Sequence, residues 1–244
     1  MGYSYHPMFT CPSATDRIWR YIDFSKFVDL VRERALFFAR ADRMSDPQEG
    51  VASPFVESTQ LNEIVSKLPP GAVPPCAIEF RAFIRSLPPR MYLSCWHLAQ
   101  CESPAMWDQY ANGRDGGVAI QSTFGRLERA LPHEWDHAIH AGMVRYIDNQ
   151  TEAFPTGNAF DRYLHKPECF ADECELRVMF DSQSDSQVPG FHVPVDLPVL
   201  VERVYISPIA PESFGLDVER TVSESRLRLP VMRSQLPASE ASRP

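Results

Sequence analysis

The sequence predicts an α+β fold, a single domain whose mostly antiparallel sheet is flanked by helices. Short stretches with strand-like alternation and stretches with helical spacing are interleaved along the whole chain. Paired prolines fence the longest helical stretches and keep the elements short. The 244 residues, 44% of them hydrophobic, suffice for one sizeable core. Residues 1–17 read as an irregular lead-in, 18–236 as the domain and 237–244, PASEASRP, as a disordered tail.

Ile18-Trp19-Arg20-Tyr21 opens the ordered part as a strand, on which alternation sets Arg20 opposite Trp19 and Tyr21. Arg20 is then either a solvent-facing charge or a buried anion clamp. Phe27, Leu30, Val31, Arg34 and Ala35 have helical spacing, with Ser25 as N-cap, and lead into a strand at Leu36 to Ala39. The turn-rich loop ARADRMSDPQEG follows, in which Pro47 forces Asp46 out of helical geometry. Helices are expected from Glu57 to Lys67 and from Cys76 to Ser86.

The stretch from Met91 to Gln121 reads as strand (to Trp96), helix (Pro104 to Ala111) and strand (from Gly117). Tyr92, Ser94, Trp96, Trp107 and Tyr110 crowd it, and such density marks either core or a site. Beyond it, helices are expected at Phe124 to Ala130 and from Leu131 to His140, the second with Pro132 in its first turn. Strands are expected at Met143 to Ile147, Glu173 to Phe180, Leu200 to Ile206 and Arg228 to Met232, with a helix at Glu212 to Ser223.

With 24 basic and 32 acidic residues the net charge is −8, so no global field holds a polyanion, and any nucleic-acid contact must come from a local patch. Six cysteines without a C-x-x-C pair, and an N-terminus lacking a basic start and an apolar run, lead to the expectation of a reduced cytoplasmic protein. No stretch approaches the roughly 20 consecutive apolar residues of a membrane span.

Three constellations bear on chemistry. His133-Glu134-Trp135-Asp136-His137 satisfies H-E-x-x-H, which on a helix sets two histidines one turn apart for zinc and a glutamate for its water. The segment is short and polar on several faces and lacks a third ligand at a recognisable spacing, so no metal is expected. Glu173 and Glu175, two apart on a strand, share a face with Arg177 next along; such a pair needs a nearby cation or a shared proton. Arg20, Ser94 and this glutamate pair stand on three separate expected strands.

The strings WRY, LFFAR with DPQE, YLSCW, MWDQYA with GVAI, and KPECFADECELR together resemble a bacterial family, the domain of unknown function numbered twenty-nine seventy-one. The resemblance runs from about Ile18 to Leu236, with Ser45 where the family commonly has asparagine and Ser94-Cys95-Trp96 where it has C-F-S. The order arginine strand, serine strand, E-x-E strand is also similar to ADP-ribosyltransferases of the Arg-Ser-Glu class. That similarity implies a strongly bent sheet and NAD as substrate. Arg20 would hold the NAD phosphates or ribose, Ser94 would brace the nicotinamide-ribose pocket, and Trp107 or Tyr110 would stack on nicotinamide. Glu175 would bond the ribose 2′-hydroxyl, and Glu173 would orient the nucleophile.

The expected function is NAD consumption, either ADP-ribosyl transfer to a protein or nucleic-acid acceptor or NAD hydrolysis, as in a toxin or antiphage effector, and the expected partners are NAD, that acceptor and a regulatory protein. The alternatives are a non-catalytic binding or regulatory module, in which the central aromatics are core, and a zinc hydrolase built on His133, Glu134 and His137.

Overall fold

In chain order the computed structural model runs β1 (Arg17–Ile22), α1 (Phe24–Glu33), β2 (Ala35–Arg40), α2 (Pro54–Ser66), α3 (Val73–Ser86), β3 (Met91–Leu98), α4 (Pro104–Tyr110), β4 (Val118–Thr123), α5 (Phe124–Ala130), β5 (His140–Met143), β6 (Arg145–Ile147), β7 (His165–Pro167), β8 (Glu175–Asp181), β9 (Gly190–Pro194), α6 (Leu197–Leu200), β10 (Arg203–Ile206), α7 (Glu212–Glu224) and β11 (Val231–Arg233). The structure describes residues 2–46, 49–69, 73–110, 116–155, 158–184 and 187–237.

Among these residues, nine strands form one sheet in the order β11-β10-β4-β1-β3-β2-β9, with β8 joined to β3 and β5 joined to β8. Every pairing in it is antiparallel except β10 with β11, and β6 and β7 make a separate parallel pair. The chain is thus a single-domain α+β fold whose mostly antiparallel sheet is flanked by helices. No helix among the described residues is long and apolar enough to cross a membrane.

The branch at β3 is what shapes the site. One edge of β3 pairs with β8 along its length, Met91↔Asp181 to His97↔Glu175. The other edge is divided: β2 takes Tyr92 and Leu93, β1 takes His97 and Leu98, and residues 94–96 lie at the fork between them. The strand alternation that the sequence shows therefore sorts side chains into two layers. Tyr92, Trp96, Leu176, Val178 and Phe180 go into the main core with Ile18, Phe38 and Ile120, while Cys95, His97, Glu175 and Arg177 go to the other face. Trp19, Tyr21, Trp107 and Ala119 make a smaller cluster beside that face.

Several boundaries differ from expectation. Asp23, not Ser25, caps α1: its carboxylate accepts from the Lys26 amide at 2.9 Å, and Ser25 itself donates to Asp23. The expected strand over 143–147 is broken into β5 and β6, and the last strand lies at β11 rather than from Arg228. Leu200 ends α6, a helical turn where the sequence suggests the start of a strand. β9 and β7 were missed: β7 is the three-residue string HKP, and in β9 Phe191 and Val193 do alternate with His192 and Pro194, but the run is short and its proline reads as a strand end.

The expected helix from Leu131 to His140 does not form. The lead-in competes for its backbone: Tyr3 N–H donates to Pro132 O, Ile139 N–H to Gly2 O and Ser4 N–H to Ile139 O. Leu131, preceding Pro132, is extended as that position favours. A side chain at residue 2 would sit 2.3 Å from the His133 carbonyl, so only glycine allows this approach. Residues 2–16 form no helix or strand but are anchored, with Phe9 buried and the Tyr3 hydroxyl donating to Glu128 at 2.7 Å.

Candidate active site

On the face opposite the main core a cleft of about 370 Å³ opens, lined by β1 (Trp19, Arg20, Tyr21), β3 (Cys95, Trp96, His97), the loop after β2 (Met44, Ser45, Asp46, Glu49), α4 (Met106, Gln109, Tyr110) and the segment Lys166 to Glu175. The volume falls within the range of small-molecule sites, and apolar walls with a few convergent charges are what such sites present.

Arg20 reaches into the fork in the sheet. Its Nη1 donates to the Ser94 hydroxyl on β3 and its Nη2 to the Phe37 carbonyl on β2 at 3.0 Å, while Cζ stands 5.8 Å from the Trp96 ring centroid. The guanidinium thus ties β1 to both other strands. Burial lowers its pKa to about 10, so it stays charged at neutral pH. Ser94 is buried and meets the cleft only through Arg20.

The two glutamates do not sit two apart on a strand. Glu173 ends a 3-10 helix over Glu168–Glu173, and Cys174 takes a left-handed conformation (φ 40°) that turns the chain into β8 at Glu175. They nevertheless converge, because Lys166 Nζ lies 2.7 Å from Glu173 Oε2 and 3.1 Å from Glu175 Oε2. Arg177, fully buried, approaches the same Glu175 oxygen at 3.0 Å. Burial pushes the Glu175 carboxyl up, and the charges of Arg177 and Lys166 outweigh it, bringing its pKa down to about 2. Burial likewise opposes the charge on Lys166, and the two glutamates more than restore it.

Neighbouring groups complete the arrangement. His97 Nδ1 donates to the Glu173 carbonyl at 2.6 Å, and the Glu175 amide donates to the Tyr146 hydroxyl at 2.9 Å, fixing the turn between the glutamates. Cys95 shares this wall, but burial pushes its thiol up, away from a reactive thiolate.

Tyr110 lines the cleft, with its hydroxyl accepting from Gln109 Nε2 at 3.1 Å. Trp107 does not. It is buried against Tyr21, ring centroids 5.0 Å apart and nearly perpendicular, and its Nε1 donates to Glu102 at 3.1 Å. The expectation that Trp107 stacks on a ligand is corrected: it is core, one turn of α4 before a cleft residue. Ala111, the last residue of the expected helix, and Pro47 in the DPQE string lie outside the described residues. His133 and His137 do not stand one helical turn apart, since their segment is not helical, and the His137 ring stacks on Phe180 at 5.1 Å. Among the described residues no group of three or more His, Cys, Asp or Glu is arranged to hold a metal ion.

Behind Arg177 lies a 3-10 turn, Asp161–Tyr163, in which burial raises the Asp161 carboxyl to about 6, its Oδ2 buried without a hydrogen-bond partner among the described residues. A raised carboxyl holds a proton that the unfolded chain releases, so stability falls as pH rises from about 4 to about 6. Asp161→Asn is expected to raise the melting temperature at pH 7 and leave it nearly unchanged at pH 4, measured by calorimetry at both.

No protein-family model matches the chain, and neither a curated protein nor a solved structure does.

Proposed function

We propose that this chain is an NAD-consuming enzyme that transfers ADP-ribose to a macromolecule or hydrolyses NAD, on an ADP-ribosyltransferase-like sheet. One observation carries the reading: Arg20, Glu173 and Glu175, far apart in sequence, line one cleft together with Tyr110, and Ser94 holds Arg20. The guanidinium matches phosphate with a planar two-pronged donor set. An ionised carboxylate in the same cleft suits a sugar that gains positive charge.

In the reaction the bond between ribose C1′ and the nicotinamide nitrogen breaks. Its electron pair goes to the nitrogen, cancelling the pyridinium charge, and C1′ becomes cationic. Water or an acceptor nucleophile bonds to C1′ and gives up one proton to solvent. Glu175, held ionised by Arg177 and Lys166, takes the ribose 2′-hydroxyl and stabilises the cation, as a fixed carboxylate does in glycosidases. Glu173, whose carboxylate lies 2.7 Å from Lys166 Nζ, orients the nucleophile. Tyr110, with Phe170 and Trp96 nearby, supplies the apolar wall for nicotinamide.

The partners of this reading are NAD, an unidentified protein or nucleic-acid acceptor and a regulatory protein; its setting is the bacterial cytoplasm, as a toxin or antiphage effector. The free thiols of Cys11, Cys95, Cys101, Cys169 and Cys174 support a reducing compartment. The engagement of both glutamates by Lys166 favours one competing reading, a structural ion network in a non-catalytic module.

Incubating the purified protein with NAD labelled in both the adenine and nicotinamide halves, with and without extract of its host, separates the readings. Release of nicotinamide is expected, with adenine label either free as ADP-ribose or fixed to macromolecules. Protein that neither binds nor consumes NAD with extract present would end the enzymatic reading.

A further inference from the structure

The buried ion network extends past the glutamates to the loop after β2. Arg177, in the middle of β8, grips Glu49 with both terminal nitrogens, Nη2 to Oε2 at 2.8 Å, and donates through Nη1 to the Tyr163 carbonyl at 2.7 Å. Nη2 also reaches Glu175 at 3.0 Å. The Glu49 side chain is 3% exposed and that of Arg177 is 0%, so the pair sits in low dielectric where its geometry is held firmly.

The loop is clamped from behind. Gly50 has φ +69°, and a Cβ there would lie 2.4 Å from the Tyr163 ring, so only glycine lets the loop turn this close. Its carbonyl accepts from Arg162 Nη1 at 3.2 Å. Two cations, Lys166 and Arg177, thus face three carboxylates, Glu49, Glu173 and Glu175, and the network keeps one net negative charge beside the cleft.

We propose that Glu49 is a positioning residue: through Arg177 it fixes the plane of the Glu175 carboxylate and keeps the network anionic. It acts on Glu175 without touching the reacting atoms. Bonding to Lys166 and Arg177 through the single oxygen Oε2 sets the orientation of the carboxylate, and Arg177 is itself anchored by Glu49 together with the Tyr163 carbonyl.

The kinetic arm of the test rests on the NAD reading; the spectroscopic arm does not. Glu49→Gln makes the network neutral, and Glu49→Asp keeps the charge but shortens the reach, which serves if the glutamine variant does not fold. The carboxyl carbon resonance of Glu175, assigned by its loss in Glu175→Gln, is followed in protein labelled at glutamate. It is expected to move in either folded Glu49 variant, and kcat for NAD to fall tenfold or more with the Kd for NAD within twofold of wild type. A Glu175 resonance unmoved in a folded variant overturns the proposal, and so does an unchanged kcat. Wild-type protein without NAD turnover sinks the enzymatic reading instead, and the resonance alone then decides whether Glu49 positions Glu175.

Discussion

Replacing Glu175 with glutamine is expected to lower NAD turnover by on the order of a hundredfold or more while the fold persists. On the proposed reaction, the loss follows from removing a preorganised negative charge where positive charge develops. The fold survives because each cation keeps another anion: Lys166 retains Glu173 at 2.7 Å and Arg177 retains Glu49. Single-turnover kinetics beside calorimetry separate the two effects, and a variant that keeps its turnover would remove Glu175 from the chemistry. Glu173→Gln is expected to reduce transfer to an acceptor more than hydrolysis, because the proposed role of Glu173 is to orient the nucleophile. The pH dependence carries a second signature. The Glu175 carboxyl is depressed to about 2 in the fold, so its ionic stabilisation is full above the unfolded pKa of about 4.3 and lost as pH falls through about 2. The stability difference between wild type and Glu175→Gln should shrink over that window.

The largest expected loss of stability is at Arg177. Arg177→Met leaves the buried Glu49 carboxylate without its cation and Glu175 with Lys166 alone, a break in a buried pair that costs about 3–5 kcal/mol. In a chain of this size that is a fall of about 6–20 °C in melting temperature. Removing the stranded anion as well, in Arg177→Met with Glu49→Gln, should recover part of the loss, because a buried pair replaced whole is far less costly than one half-removed. If the double variant is no more stable than the single, the Glu49 charge is not what the single variant strands.

Much of the fold was legible because local pattern and tertiary outcome agree. Phe124–Ala130 is a helix as read, and β1, β2, β3 and β4 lie within two residues of expectation. Where they part, a distant segment decides: residues 131–140 have a helix-compatible start but give their backbone to Gly2, Tyr3 and Ser4. The site was legible in its charged types and less so in its architecture. Glu173 and Glu175 do meet, but across a left-handed turn at Cys174, and no periodicity marks that. Lys166 stands in the same string as the two glutamates and Glu49 in the distant DPQE string, yet the pairing of Glu49 with Arg177 joins a loop to a strand 128 positions on, which no local rule sets. His97 offered only a polar side chain in an apolar strand, a signal that buried histidines also produce.

The fork between β1, β2 and β3 has a consequence for synthesis of the chain. Arg20 enters that fork near the start, while Glu175, paired beside it through β3, comes 155 positions later. At about 5–20 residues per second, translation supplies the second half of the cleft roughly 8–30 s after the first. Until then the cleft lacks Glu173 and Glu175. A ribosome-bound chain that stops short of β8 therefore carries Arg20 without Glu175, and the two sides of the cleft face each other only after β8 has emerged.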